Sequence, residues 1–226
     1  VIGSGIAGIA SSIRLAVKGY KVEVFEANSS FGGKLSSFKL GGYRFDAGPP
    51  LFTMPHLVTQ LFEIAGLDAD AYFDYKKKDV SCHYFWSDKK KFRAYADRKL
   101  FIEEINNVFN EPEKKVEEYI NRAKNKYDLT HSLFLENSLH KLKTYLSYDT
   151  LNALIKLNSL DLFQTLHEVN EETFSSSQLI QLFDRFATYN GSNPYQTSGI
   201  MTLIQHLEGY YGTFLPLKGM VSISKA

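Results

Sequence analysis

The chain has 226 residues, 44% of them hydrophobic, which is enough to form the core of one large domain or two small ones. Its 26 basic and 25 acidic side chains leave a formal net charge of +1. Proteins that bind nucleic acids usually carry a clear excess of basic side chains. We therefore expect no nucleic-acid partner. Cys82 is the single cysteine, which excludes an internal disulfide and favours a reducing compartment. No apolar run reaches the roughly 18 residues that a transmembrane helix needs.

A glycine-rich turn opens the chain. Val1 and Ile2 are typical of the end of an apolar strand, a helix follows the turn, and Gly19 is placed to end that helix. Val22 to Glu26 then predict a second strand, so residues 1–26 indicate a β-α-β unit. The residues expected on the buried face of the helix are Ile9, Ile13, Leu15 and Ala16.

The glycine spacing predicts that this turn binds a dinucleotide. Gly3 permits a tight turn, Gly5 lets the backbone approach a pyrophosphate, and Gly8 lets helix and strand pack closely. Glu26 ends the second strand, where a carboxylate accepts hydrogen bonds from ribose hydroxyls. The alternative is a glycine-rich turn in some other α/β protein, and the full context favours the binding interpretation.

Further local signals continue along the chain. Residues 35–46 predict a hairpin around Gly41-Gly42, and a helix begins at Pro55 and ends at Gly66. Antiparallel strands are expected at residues 80–86 and 91–96, followed by helical signals from Phe101 to about Leu160. After Phe101 we expect a cap at Asn110, Pro112 in a first helical turn, and a buried helix face formed by Val116, Tyr119, Ile120 and Ala123. A further helix is capped at Ser175 to Ser177 and turns Leu179, Leu182, Phe183 and Phe186 inward. A polar turn at Tyr189 to Tyr195 and a helix near Ile200 to Leu207 follow.

A second glycine turn narrows the choice of dinucleotide. The run Glu26-x5-Gly32-Gly33-Lys34, followed by Tyr43-x-Phe45-Asp46-x-Gly48-Pro49, resembles the flavin amine oxidase and phytoene desaturase superfamily. The resemblance implies FAD as cofactor, with the second glycine turn and its basic residue along it. Alone, Gly32-Gly33 could be a hairpin connection and Lys34 a surface lysine. The cofactor-binding residues predicted in this way are Gly3, Ser4, Gly5, Ile6, Ala7, Gly8, Glu26, Ala27, Gly33, Lys34, Gly48 and Pro49.

A later segment resembles bacterial carotenoid desaturases of the phytoene desaturase type. It runs from Phe183 to Tyr195, and Leu217 to Met220 is similar to the glycine-rich stretch of that family, with Lys218 where a glycine is common. The resemblance implies an α/β fold, with a Rossmann-type FAD-binding domain and an inserted α+β substrate domain of antiparallel strands and helices. We expect the FAD-binding part at residues 1–67. Residues 68–226 would form the substrate domain, returning toward the FAD domain near the C-terminal end. We also expect that both ends of the protein are missing.

The resemblance further implies a reaction. An apolar polyene such as phytoene would be dehydrogenated by hydride transfer to flavin, with oxygen or a quinone as electron acceptor. The catalytic residues stay unknown; Arg185 is the one candidate, against the alternative that Asp184 and Arg185 are ordinary surface charges. Two further functions stay open. One is a related flavoenzyme: a carotenoid isomerase or ketolase, a retinol saturase, or an amine or protoporphyrinogen oxidase. The other is a non-catalytic nucleotide-binding module.

Two runs of lysine lie on either side of an aromatic run in the middle of the chain. Lys76 to Lys78 and Lys89 to Lys91 flank Tyr84 to Trp86, which indicates a membrane-facing surface or, more simply, a hairpin with solvated ends. A membrane-contacting helix between Phe101 and Leu160 is a further alternative, and we expect a cytoplasmic protein, peripheral on the inner face of the membrane. No metal site is predicted; we expect Cys82 to be buried and His167-Glu168 to lie on the surface.

Overall fold

The computed structural model describes residues 1–132, 137, 140–141 and 156–226. These residues form two compact units, one of residues 1–78 and 212–226 and one of residues 79–211. Helical signals were predicted from Phe101 to about Leu160, and residues 133–136, 138–139 and 142–155 of that stretch lie outside the described residues. The prediction of a membrane-contacting helix lies outside the described residues wherever it falls on these stretches.

The strands of the described residues are short, and the helices vary widely in length. The strands are β1 (Ser37–Leu40), β2 (Tyr43–Asp46), β3 (Tyr75–Lys77), β4 (Val80–Phe85), β5 (Lys91–Tyr95) and β6 (Phe214–Pro216). The α-helices are α1 (Ile6–Val17), α2 (His56–Ile64), α3 (Arg98–Phe109), α4 (Glu113–His131), α5 (Leu166–Thr173), α6 (Ser177–Asp184), α7 (Leu203–His206) and α8 (Ser222–Lys225). Short 3₁₀ segments cover Ala69–Ala71, Leu157–Leu160, Arg185–Asn190 and Gly199–Thr202, and Leu207–Tyr211 form a π-helix.

The β-α-β pattern of the first unit is present in reduced form. Ile2 pairs in parallel with Phe25, and the Gly3 N–H donates to the Phe25 carbonyl at 2.7 Å. This pairing is an isolated bridge rather than the two regular strands predicted. No residue of α1 is fully buried: Ile9 and Ile13 are half-buried, whereas Leu15 and Ala16 are exposed. The predicted buried face was therefore wrong in part, because the described residues place little apolar surface against this helix.

Turn chemistry elsewhere in this unit follows the sequence. Strands β1 and β2 pair antiparallel around Gly41 and Gly42, whose φ angles of 57° and 83° suit a tight two-residue hairpin turn. Helix α2 follows Pro55 and ends before Gly66, as predicted. Strands β3 and β6 pair antiparallel, which brings residues 212–226 into the first unit.

The second unit has a continuous apolar core. Antiparallel β4 and β5 cover helices whose predicted inward residues are buried, so those predictions are confirmed. The core includes Phe92, Ile105, Val116, Tyr119, Leu166, Leu179 and Phe183. The cap predicted at Asn110 lies at the C-terminal end of α3, where its φ of 57° is left-handed, and Pro112 occupies the cap position before α4 rather than its first turn. Asn suits this C-terminal position because it tolerates positive φ better than most non-glycine residues.

Candidate functional site

The first glycine turn is shaped by two glycines that no other residue can replace without strain. Gly3 has a φ of 89°, in the region that favours glycine. A Cβ on Gly8 would lie 2.0 Å from the carbonyl oxygen of Gly3. These two residues therefore hold α1 close against the preceding chain, as the spacing predicts.

Gly5 differs, because its backbone is ordinary and its surroundings are open. Its φ of −66° and ψ of 173° suit any residue, and a Cβ there would meet only the Cα of Gly33, at 4.0 Å. The protein itself therefore does not require a glycine at this position. A ligand that approaches the backbone would require one.

The start of α1 has no side-chain cap among the described residues. Gly5 is the N-cap and offers no side-chain hydrogen bond, and the first turn contains no acidic residue. By contrast, Asp97, Thr165 and Ser176 accept backbone hydrogen bonds at the starts of α3, α5 and α6. The first backbone N–H groups of a helix lack partners within it, and they favour an anion. The turn therefore fits the diphosphate of a dinucleotide.

Glu26 lies directly at this turn. Its Oε2 accepts from the backbone N–H and the Oγ of Ser4, both at 2.7 Å. Its Oε1 accepts from the backbone N–H of Asn28 at 2.9 Å and from Nδ2 of Asn28 at 2.8 Å. These bonds, led by that of the Asn28 backbone, lower the pKa of Glu26 to about 2. The group is therefore a fixed carboxylate whose four lone-pair sites are taken by Ser4 and Asn28, and a ribose hydroxyl would replace one of these donors.

The second glycine turn packs against the first. The backbone N–H of Gly32 donates to the Ser4 carbonyl at 2.8 Å, and a Cβ on Gly33 would lie 3.1 Å from the Cα of Gly5. A Cβ on Gly48 would lie 1.8 Å from the carbonyl oxygen of Lys34. The structure thus groups the two turns as expected.

The remaining predicted cofactor-binding residues differ in exposure. Ile6, Ala7, Ala27, Lys34 and Pro49 are exposed. The sequence analysis missed Asn28, which donates two hydrogen bonds to Glu26. Its position two residues after Glu26 could have indicated this contact, because short polar side chains often form hydrogen bonds with nearby groups in the chain.

The second unit contains a cavity of about 240 Å³. Much of its wall is apolar or aromatic, with contributions from Tyr84, Phe101, Ile120, Leu182 and Phe186. Its polar side includes Arg185, Gln205 and Glu208. A mainly apolar cavity with a few convergent polar groups is the usual form of a small-molecule site.

Arg185, the one catalytic candidate, lies in the wall of this cavity and is not an ordinary surface charge. Its Nη2 donates to Glu208 Oε2 at 2.7 Å, and its guanidinium lies 4.7 Å from the centre of the Phe186 ring. The hydroxyl of Tyr189 donates to the other oxygen of Glu208 at 2.6 Å. Glu208 is thus held from two sides.

Asp184 is also buried rather than on the surface. It lies 2.7 Å from Nδ1 of His167 and accepts from Nδ2 of Asn170 at 2.8 Å. The surface prediction therefore holds only in part for His167, which is half-buried beside this carboxylate, whereas Glu168 is exposed as expected. Cys82 is half-buried and packs against the core.

Two features are absent from the described residues. No group of three or more His, Cys, Asp or Glu side chains in this part of the chain could hold a metal ion. No helix within the same residues combines the length and the apolar character needed to cross a membrane.

Comparison with known proteins gives consistent matches along the chain. A family model described as flavin containing amine oxidoreductase matches residues 6–226. The chain is 49% identical over 226 residues to the 1-hydroxycarotenoid 3,4-desaturase of Flavobacterium sp. (strain P99-3), covering 100% of this chain and 46% of that protein. It is 27% identical to the 4,4'-diapolycopene oxygenase of Methylomonas sp, covering 100% of this chain and 45% of that protein. With the 4,4'-diapophytoene desaturase of Staphylococcus haemolyticus it shares 26% identity, covering 100% of this chain and 44% of that protein.

Solved structures resemble the fold. Wild-type putrescine oxidase bound to putrescine matches with a TM-score of 0.61 at 15% identity, over 99% of this chain and 46% of that structure. Cyclohexylamine oxidase from Brevibacterium oxydans IH-35A matches with a TM-score of 0.56 at 21% identity, over 99% of this chain and 47% of that structure. These matches confirm the predicted α/β fold class. The chain spans less than half the length of each of these proteins.

Proposed function

Because the chain belongs to the family of flavin containing amine oxidoreductases, as its sequence predicts, we propose that it is part of an FAD-dependent carotenoid desaturase. The predicted cofactor, FAD, is confirmed by this family membership. Bound FAD would accept the hydride that one carbon of a CH–CH group loses, while the neighbouring carbon loses a proton to solvent and the C=C bond forms. The residues of this chain would bind the cofactor, hold the polyene and exclude water.

The observation that carries this proposal is the uncapped start of α1 beside an ionised Glu26. The N–H groups after Gly5 would hold the diphosphate, and the carboxylate would accept from the ribose hydroxyls of the adenosine half. Gly33 and Lys34, in the adjoining turn, would lie along the same cofactor. We propose residues 1–67 as the FAD-binding part and residues 68–226 as the substrate part that returns to it.

The substrate proposal is supported by the apolar cavity and by the relatives. An apolar polyene offers few groups for hydrogen bonds, so its site should be lined mainly by apolar side chains, as the cavity in the second unit is. The relative at 49% identity is a 1-hydroxycarotenoid desaturase, which makes a carotenoid the favoured substrate class. Arg185 is proposed to contact the substrate rather than to transfer protons.

Three further parts of the proposal concern the protein's surroundings. We propose that it contacts the inner face of the membrane peripherally from the cytoplasm, because its apolar substrate would reside in lipid. The lysine and aromatic residues around the turn between β4 and β5 are the candidate contact surface. Oxygen or a quinone would reoxidise the flavin.

Gly5→Ala in the full-length protein tests the cofactor site directly. Since a Cβ at this position meets no protein atom closer than 4.0 Å, the variant should fold normally and lose FAD through contact with the diphosphate. The flavin-to-protein absorbance ratio after purification should fall at least about 10-fold, which corresponds to about 1.4 kcal/mol. Ala16→Leu, at the exposed end of the same helix, is the matched control. A Gly5→Ala protein that keeps its yellow colour would refute the diphosphate assignment.

Product analysis tests the reaction. Expression of the full-length protein with a carotenoid substrate should shift the product's absorption to longer wavelength, because each desaturation extends the conjugated chain. Incorporation of oxygen into the product would instead favour the reaction named for the relative from Methylomonas. Flavin binding without any change in the carotenoids would favour another flavoenzyme reaction or a non-catalytic module.

A further inference from the structure

The first unit contains a cavity of its own, which we call the basic cavity. It has a volume of about 520 Å³, and its wall includes Arg44, Lys218 and Lys225 together with Tyr72 and Ser222. Every charged side chain that the described residues contribute to this wall is basic. No residue of the two glycine turns lines it, so the basic cavity is distinct from the proposed diphosphate site.

The guanidinium of Arg44 is held in place by a backbone carbonyl and a carboxylate. Its Nη1 donates to the Lys218 carbonyl at 2.6 Å and lies 3.5 Å from Oδ1 of Asp46. Gly219, with a φ of 82°, lies directly beside it, because a Cβ there would be 2.3 Å from both Nη1 and Nη2. Only glycine permits this close contact. Nε and Nη2 form no hydrogen bond within the described residues, so the guanidinium retains donors for a ligand.

The two lysines add positive charge that nothing in the described part of the chain balances. Both side chains are exposed, and neither Lys218 nor Lys225 forms an ion pair or a side-chain hydrogen bond there. With Arg44 they bring three positive charges to one wall, and Asp46 supplies one negative charge, which leaves a formal charge of +2. Like charges that lie close together repel each other, and a bound anion removes that cost.

A phosphate group matches this charge and this set of donors. It carries about 1.5 to 2 negative charges at neutral pH and has three strong acceptor oxygens. An arginine fork can donate to two of these oxygens at once, and lysine binds phosphate as a point charge. A carboxylate carries one charge and would leave part of the positive charge unbalanced. The volume of about 520 Å³ lies within the roughly 300–1,000 Å³ typical of small-molecule sites.

Lys218 is a feature that the cofactor assignment leaves unused. It stands where a glycine is common in the carotenoid desaturases that this segment resembles. We propose that the basic cavity binds a phosphate group, with Arg44, Lys218 and Lys225 as the residues that hold it. The group belongs to a lipid headgroup or to a soluble phosphate compound. This site goes beyond the proposed function and does not rest on it, because binding requires neither a carotenoid nor turnover.

Titration of the full-length protein loaded with FAD tests the site, since the bound cofactor keeps inorganic phosphate out of the diphosphate turn. Isothermal titration calorimetry at low salt should give a Kd for inorganic phosphate on the order of 1 mM or lower, which corresponds to about two charge-assisted hydrogen bonds. Acetate at the same ionic strength should bind at least about 10-fold more weakly. No measurable binding of phosphate, or equal binding of acetate, overturns the inference.

The double variant Lys218→Gln, Lys225→Gln tests which residues hold the phosphate. Both side chains are exposed, so their replacement leaves the packing intact. Lys18→Gln with Lys21→Gln removes the same charge at exposed positions outside the cavity and is the matched control. The Kd should rise at least about 10-fold in the first variant and stay within about 2-fold in the control. An equal change in both variants would mean that net charge alone attracts phosphate, which overturns the inference.

Sedimentation with vesicles identifies the source of the phosphate group. Phosphatidylcholine vesicles that contain phosphatidic acid, whose headgroup is a phosphate monoester, are compared with vesicles of phosphatidylcholine alone. A preference for phosphatidic acid that the double variant loses supports the site and assigns a lipid headgroup. Equal sedimentation of wild type and double variant, with phosphate binding still dependent on the two lysines, supports the site and assigns a soluble compound. Phosphate binding without desaturation of any carotenoid would refute the proposed function alone.

Discussion

The glycine turns of the first unit and the helical core of the second are built in opposite ways. In α1 no residue is fully buried, and Leu15 and Val17 are 38% and 48% exposed. In the second unit Ile105, Val116 and Phe183 are 0% exposed. The turns are held mainly by glycine geometry and by the bonds of Glu26, and the helical unit by side-chain packing.

This difference between the glycine turns and the packed core indicates which residues affect function and which affect stability. Within the described residues, the glycine turns bring few apolar side chains together, whereas the helical core brings many. Regions with few buried apolar contacts open more easily than a packed core. We therefore expect substitutions in the turns to affect cofactor binding and those in the core to affect stability.

Phe183→Ala should have the largest effect on stability. The Phe183 ring stacks on Phe174 at 5.0 Å and lies 4.6 Å from the ring of Tyr119, so its removal leaves a cavity. We expect a loss of about 3–5 kcal/mol in the free energy of opening of α6, measured by hydrogen exchange. Leu15→Ala in α1 should cost less than about 1 kcal/mol, because its side chain is partly exposed already. Similar costs at the two positions would contradict the contrast between the regions.

Glu208→Leu should have an intermediate effect. It removes the partner of the Arg185 guanidinium, whose side chain is 25% exposed, and leaves a mostly buried charge and the Tyr189 hydroxyl unpaired. We expect destabilisation of about 2–3 kcal/mol, less than for a fully buried pair because some solvent reaches the arginine.

Urea denaturation followed by far-ultraviolet circular dichroism measures the cost of Glu208→Leu. Glu168→Leu, at an exposed position, shows the cost of losing a carboxylate that forms only a helix cap. Wild-type stability in Glu208→Leu would show that the Arg185 pair contributes nothing to the fold.

Much of the fold could be predicted because its signals are local. The Gly41-Gly42 turn requires positive φ at both residues, and the inward residues of α6 follow helical spacing. The glycine spacing of the first turn is local too, and the structure confirms its backbone geometry at Gly3 and Gly8.

The errors concern contacts between residues far apart in the sequence. Nothing near His167 in the sequence indicates that it meets Asp184, and nothing near Arg185 indicates Glu208. The exposed side of α1 was missed for a related reason, since periodicity shows that a helix has an apolar face and not what covers it. The cavity of the second unit likewise arises from tertiary packing, which spacing does not encode.

The smallest expected effect concerns the pKa of Glu26 at the first glycine turn. Four hydrogen bonds from Ser4 and Asn28 favour the charged form of Glu26, which lowers its pKa from 4.5 to about 2. Because the folded pKa is depressed, the stabilisation is complete above about pH 4.5 and is lost as the pH falls toward 2.

A carbon-13 NMR titration of the glutamate carboxyls should therefore find Glu26 still ionised at pH 3.5, where a glutamate in a model peptide is largely protonated. Ser4→Ala removes one of the four donors and should raise the titration midpoint of Glu26, whereas Ser11→Ala, on the exposed side of α1, should not. A midpoint near 4.5 in the wild type would mean that the carboxylate is not held at the turn. The Glu26 carboxylate, which is proposed to accept hydrogen bonds from the ribose, would then not be held in a fixed position.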